Sequence, residues 1–269
     1  MEPTTSQEKL SLIPFLQNKR FCSELLYRNR RHQIWRVEHN SIPLIAKIHT
    51  PISSYKFSRK FSLYLRNFLR NYGERTSRGA KLLKSIGVAS IDPVASGKIS
   101  VGPLMREGYV IYPEIKALGT ARDLLEDKLE ASPAVKHWAI KEMAKISRVI
   151  HDADILHGDL VPNNFLLVKG IDGHHLVVID TDHTRTIKWL PKIFSRFVKL
   201  SCFRRINRNS QSTAEFFRVY FNREPSRMEI SALDFWSWRD RRPFSKLLKR
   251  PGLWVALALL LIIYLATLA

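Results

Sequence analysis

Three side chains near the middle of the chain have the types and spacing that phosphoryl transfer from ATP requires. Asp159 and Asn164 lie in HGDLVPNNFLL (157–167), and Asp180 closes the apolar run VVID. A carboxylate in the first position can orient an attacking hydroxyl and take its proton. An amide oxygen and a second carboxylate can hold Mg²⁺ on the nucleotide phosphates, because this hard cation prefers oxygen ligands. His157 reads as a brace that hydrogen-bonds the loop, not as a participant. A His-x-Asp alone is cheap by chance. The full set is more specific, because the apolar runs FLLV and HLVVI flank Gly170 and Gly173. That pattern predicts a β-hairpin with the ligands at its base. The competing reading is a pair of solvated turn acids beside two strands.

Such ligands need a second set of elements to hold the nucleotide. IWRVEHNSIPLIAKIH alternates and turns as a hairpin does, with Asn40-Ser41 at the turn and Lys47 at the end of an apolar strand. A lysine so placed can grip the α- and β-phosphates. Alone it would be an ordinary surface residue; its position upstream of the acidic motif is what assigns it. No G-x-G-x-x-G precedes it. The corresponding segment LLYRNRRHQIW has no glycine, so a phosphate cover would rest on Asn29, Arg30, Arg31 and backbone amides. From Phe57 to Gly87 the apolar spacing predicts helix, with Gly87 as the C-cap. Glu74 is the only acidic residue between Lys47 and Gly87, which makes it the candidate ion-pair partner of Lys47 by elimination. An exposed surface glutamate is the alternative. YVIYPEI (109–115) predicts a strand entering a linker that holds adenine by backbone hydrogen bonds. TARDLLEDKL predicts a short polar helix, and Ser132-Pro133 the start of a long amphipathic one.

Composition narrows the partners. The 269 residues carry 44 Lys+Arg against 24 Asp+Glu, a net +20, which favours a polyanionic neighbour. A hydrophobic content of 45% excludes a disordered chain. Two cysteines imply neither a disulfide framework nor a zinc cluster, and the polar MEPTTSQEKL is no signal peptide. The last residues, PGLWVALALLLIIYLATLA (251–269), hold no charge. As a helix, 253–269 would span roughly 25 Å, enough for a thin hydrocarbon core. KLLKR ahead of it and no charge behind it predict an anchor with the body on the cytoplasmic side.

The combination HDADILHGDLVPNNFLL and VVIDTDHTR resembles the lipopolysaccharide core kinases, the bacterial Kdo and heptose kinase family. In that family Ile-Asp and a polar tract, here Asp180-Thr181-Asp182-His183, stand in place of Asp-Phe-Gly. SRGAKLLKSIGVASIDPVA and CFRRINRNS extend the likeness to about residues 25–225, with the specific motifs at 151–183. The resemblance implies an α+β, bilobal protein-kinase-like fold with a small β-rich N-lobe, a larger helical C-lobe and here a C-terminal transmembrane helix. The expected organisation is a polar leader at 1–24, the N-lobe at 25–115, the C-lobe at 116–250 and the anchor at 251–269. Carried over by position, Lys47, Asp159, Asn164 and Asp180 are the ATP and metal residues. Asp182 is either a further metal or substrate contact or a turn cap. The implied reaction is phosphorylation of a sugar hydroxyl on a lipid A–core glycolipid at the inner membrane.

Between Arg185 and Arg250 there are 17 Lys/Arg and 5 Asp/Glu, with Arg204, Arg205 and Arg208 clustered. These suit glycolipid phosphates or an anionic membrane surface equally well. The rivals are a small atypical protein kinase, a pseudokinase scaffold that binds nucleotide or lipid, and an RNA-binding protein. The tail and the missing Asp-Phe-Gly oppose the first, and the retained Lys47, Asp159, Asn164 and Asp180 oppose the second. Only charge favours the third; nucleic acid is disfavoured because no recognition motif is present.

Overall fold

Alternation along residues 33–49 builds the centre of an antiparallel sheet in the computed structural model. Strands β1 (Glu24–Arg28), β2 (Gln33–His39) and β3 (Ile42–His49) follow one another, and His39 pairs with Ile42 around a turn where Ser41 takes φ +60°. Helix α1 (Tyr72–Lys84) comes next, then β4 (Ala95–Gly102) and β5 (Met105–Pro113), giving the sheet order β1-β2-β3-β5-β4. Val37, Leu44, Ala46, Ile48, Ile99, Tyr109 and Ile111 form its buried core. The described residues are 24–28, 32–39, 41–49, 72–102, 105–170, 173–203 and 211–241. The leader before Glu24, the phosphate cover at 29–31, the helical spacing ahead of Tyr72, the Arg204–Arg208 cluster and the anchor at 251–269 lie outside them. Among the described residues no helix is long and apolar enough to cross a membrane.

Helix α1 ends as its sequence predicts. Gly87 at φ +78° donates its N–H to Lys84 O, and Val88 donates to Leu83 O, closing the last turn. Past β5, Glu114 N–H donates to Pro43 O and the chain passes through a short link into β6 (Ala117–Thr120). Helix α2 (Ala121–Leu125) starts on a capping box in which Thr120 and Asp123 satisfy each other's backbone N–H. Ser132 caps α3 (Pro133–Asp152), with proline in its first turn where the missing N–H costs nothing. Its buried face, Ala139, Ile140, Met143, Ala144 and Ile150, repeats at helical spacing and anchors the second, larger core.

Strand β7 (Ile155–Leu156) leads into the motif segment, followed by the hairpin β8 (Phe165–Gly170) and β9 (Gly173–Val178). β6, β8 and β9 form a three-stranded sheet, and β10 (Arg185–Thr186) pairs with β7. Helices α4 (Lys192–Leu200), α5 (Gln211–Phe221) and α6 (Arg227–Arg241) complete the helical part, where Phe203, Phe216 and Phe217 are buried together. Among the described residues the architecture is a β-sheet with a helix at the amino-terminal end and a mainly helical body, a mixed α+β fold of kinase-like form.

Candidate active site

Period-two alternation decides which way Lys47 faces. Leu44, Ala46 and Ile48 point into the sheet core, so Ile45, Lys47 and His49 share the opposite face. From there Lys47 Nζ donates to Asp180 Oδ1 at 2.6 Å, joining residues 133 positions apart. The Lys47 side chain is 13% exposed and that of Asp180 38%. Burial works against the Lys47 ammonium, but attraction to the Asp180 carboxylate outweighs it and holds the group above its ordinary value. Burial likewise opposes the Asp180 carboxylate, and the charge and hydrogen bond of Lys47 pull it below the ordinary range.

The other residues are set by the β8–β9 hairpin. A 3₁₀ turn at Pro162–Asn164 delivers Asn164 to the start of β8. Its Nδ2 donates to Asp159 O at 2.8 Å, and Ile179 N–H donates to Asn164 O at 2.9 Å. The Asp159, Asn164 and Asp180 segments are thereby stitched at the hairpin's base. His157, wholly buried, donates from Nε2 to Ile179 O at 3.2 Å. Burial lowers its pKa to about 4, so it is a neutral brace. Gly158 takes φ +89° between the brace and Asp159, a conformation suited to glycine.

Asp180 itself adopts φ +61°, ψ +50°, then Thr181–His183 form a 3₁₀ turn. Helix α1 lies against that turn. Thr181 Oγ1 donates to Thr76 O at 2.9 Å, and a Cβ on Gly79 would lie 3.0 Å from the Thr181 carbonyl carbon and closer to its oxygen. Asp182 is largely buried, with His183 Nε2 3.4 Å from Oδ2. Burial first, then the neighbouring Asp180 charge, raises the Asp182 carboxyl above its ordinary value. Arg75 Nη2 lies 3.3 Å from His183 Nδ1, a second tie between α1 and the turn.

The structure places Glu74 near the start of α1. It is exposed in the first turn of α1, while the ion pair of Lys47 among the described residues is with Asp180. Elimination could not see that α1 meets the site with Tyr72, Thr76 and Gly79, the positions four and seven residues along one face. Tyr72 carries no signal in the sequence alone, yet its ring centroid is 3.6 Å from that of His49 and 5.8 Å from Lys47 Nζ. Tyr112, opposite Ile45 on β5, is a second such residue; burial pushes its hydroxyl well above the ordinary range. Cross-strand register would have found it, since it lies diagonal to Lys47.

The donor set suits a hard cation. The Asn164 amide NH₂ donates to Asp159 O, so a bound cation would meet its side-chain oxygen. With one Asp180 oxygen that would make two protein ligands, a number that suits Mg²⁺ where substrate phosphates and water supply the rest. Among the described residues no group of three or more His, Cys, Asp or Glu is arranged to hold a metal on its own.

A sheet that presents a buried lysine to an aspartate at the foot of a hairpin, with a second aspartate on the preceding loop, defines a kinase-like protein. The comparisons give its family. Residues 29–220 match the lipopolysaccharide kinase (Kdo/WaaP) family, and the chain belongs to that family of kinases. A solved structure described as WaaP in complex with acyl carrier protein is similar over 84% of this chain and 90% of its own, at 20% identity and TM-score 0.52. At that identity the likeness speaks for the fold. No curated protein matches.

Proposed function

We propose that the protein is an ATP-dependent kinase that phosphorylates a sugar hydroxyl of a membrane glycolipid, the lipopolysaccharide inner core. The observation that carries the reading is the Lys47–Asp180 pair at 2.6 Å, above a loop where Asn164 is tied to the Asp159 backbone at 2.8 Å. Lys47 binds the α- and β-phosphates of the nucleotide, exchanging part of its contact with Asp180 for phosphate oxygens. Asn164 and Asp180 would hold Mg²⁺, which when bound would neutralise charge on the phosphates. Asp159 orients the sugar hydroxyl and accepts its proton as oxygen bonds to the γ-phosphorus and ADP departs. His157 keeps the loop in place through Ile179 O. Lys47 is paired with Asp180, and the scheme assigns no step to the exposed Glu74.

The basic carboxy-terminal third and the uncharged 251–269 support a site of action at the cytoplasmic face of the inner membrane, with that segment as the anchor. The test uses the full chain, ATP, Mg²⁺ and lipid A–core acceptor, with phosphate transfer read by mass spectrometry of the lipid. Transfer is expected for the wild type. Asp159→Ala should lower it by roughly 10²–10⁴-fold at unchanged thermal stability, the contribution of a positioned proton acceptor. Equal transfer by the variant removes Asp159 from the mechanism, and labelling of protein in place of lipid redirects the reading to a protein kinase.

A further inference from the structure

The helical body carries an aromatic surface that the catalytic scheme does not use. Phe194 on α4 is 61% exposed and Trp189, three residues before that helix begins, is 79% exposed. Phe197, one turn after Phe194, lies with its ring centroid 5.6 Å from Phe235 of α6, and both remain more than a third exposed. Trp236 fixes the two helices by donating from Nε1 to Phe197 O at 2.9 Å. The surface is therefore a rigid feature of two packed helices. Large aromatic side chains held in water by a fixed scaffold signal something that covers them.

Charge selects the occupant. Lys188 and Lys192 are exposed and close in sequence to the exposed Trp189 and Phe194, so basic and aromatic residues alternate along residues 188–194. Aromatic rings interleaved with lysines match the headgroup layer of an anionic bilayer, where rings sit at the acyl boundary and ammonium groups meet phosphate. Chain continuity gives the same answer. Helix α6 runs to Arg241, and the sequence that follows, RPFSKLLKR (242–250), holds four basic and no acidic residues before the uncharged 251–269. The surface that bears Phe235 is thus the one nearest in the chain to the segment proposed to enter the membrane.

We propose that Trp189, Phe194, Phe197 and Phe235, with Lys188 and Lys192, bed the helical body into the headgroup region of an anionic bilayer. The contact would hold the kinase site at a fixed attitude to the membrane, where a tethering segment alone leaves the body free to tumble. The choice of lipid as occupant rests on the membrane reading of the acceptor.

The test places the full chain in nanodiscs whose lipids carry brominated acyl chains, in phosphatidylglycerol or phosphatidylcholine. Subtracting the tryptophan emission of Trp189→Phe from that of the wild type isolates Trp189, whose exposure makes the substitution harmless to folding. In anionic discs its emission should be blue-shifted and quenched by bromine. The quenching should weaken in phosphatidylcholine and in a Lys188→Ser/Lys192→Ser variant. Emission typical of water, or equal quenching in neutral discs, overturns the proposal. A blue shift without bromine quenching also overturns it, and assigns the surface to a second copy or to the chain's own tail. The readout uses neither ATP nor acceptor. An active kinase with an unquenched Trp189 rejects the surface alone, and a quenched Trp189 on an inactive protein rejects phosphoryl transfer alone.

Discussion

Asp180 and Asp182 are two residues apart and titrate in opposite directions. Both lose hydration, but only Asp180 has an ammonium at 2.6 Å to repay the loss. Asp182 is left with burial and with the charge of Asp180, and its carboxyl is raised. The sign has a consequence for stability. A carboxyl whose folded pKa lies above its unfolded value destabilises the fold while ionised, and the penalty disappears as pH falls through the raised pKa toward the ordinary one. Asp182→Asn removes that penalty, so we expect a higher melting temperature at pH 7 and a gain that shrinks toward zero near pH 4, measured by melts across that range. A lower melting temperature at pH 7 would mean that His183 and Arg75 compensate the charge fully. At this scale the sequence was legible in which residues meet, since Lys47 reaches Asp180 and Asn164 is tied to the Asp159 backbone, while their chemical roles stay those proposed above. It was illegible where three-dimensional pairing decides: the Lys47–Asp180 pair joins residues 133 positions apart, and Tyr72 and Tyr112 carry no signal until strand register and helix face are known.

Elements position these residues through backbone contacts more than through side chains. The two hairpins were readable because alternation and turn residues agree, at Ser41 in one and at Gly170 and Gly173 in the other. The start of α3 was readable from Ser132-Pro133, whereas the Thr120–Asp123 capping box of α2 was not read. β1 was not, since all five of its residues are exposed and none of the alternation that marks a half-buried strand is present. Nor was the docking of α1 on the Thr181–His183 turn, which depends on one missing methyl group. Gly79→Ala would drive a Cβ into the Thr181 carbonyl. Backbone cannot swing aside as a flexible side chain does, so overpacking of about 1–3 kcal/mol is expected together with a shift of Asp180 from Lys47. The comparison is Gly87→Ala, where φ is +78° and nothing lies within 4 Å of the added methyl. That change should cost about 1–2 kcal/mol from left-handed backbone strain and leave nucleotide affinity unaltered. Denaturant unfolding and nucleotide titration of both variants separate the two effects; similar loss of affinity in both would deny α1 its role in placing Asp180.

At the scale of the whole molecule, three histidines buried in different places make the fold sensitive to acid. Burial, reinforced by Lys47, lowers His49 to about 3. Burial, reinforced by Lys199, lowers His151 to about 3, and burial lowers His157 to about 4. In the unfolded chain each would titrate near its ordinary value of 6.5. A group whose folded pKa is depressed contributes stability in full above the unfolded value and loses it as pH falls toward the folded one. Between about pH 6 and 4 the unfolded chain therefore binds roughly two to three more protons at these sites, a slope of about 3–4 kcal/mol per pH unit. A fold of ordinary stability, about 5–15 kcal/mol, cannot sustain that slope for long. We expect cooperative unfolding above pH 4, seen as a steep fall in urea unfolding free energy measured in mild detergent. His49→Phe lies on the Lys47 face of the sheet and His151→Phe in the helical body against Tyr220, and each should remove about a third of the slope, whereas His157→Phe would also break the Ile179 contact that holds the loop. A free energy that stays flat from pH 6.5 to 4.5 would mean that protons reach these imidazoles without unfolding, and that the sheet and the helical body open locally around them.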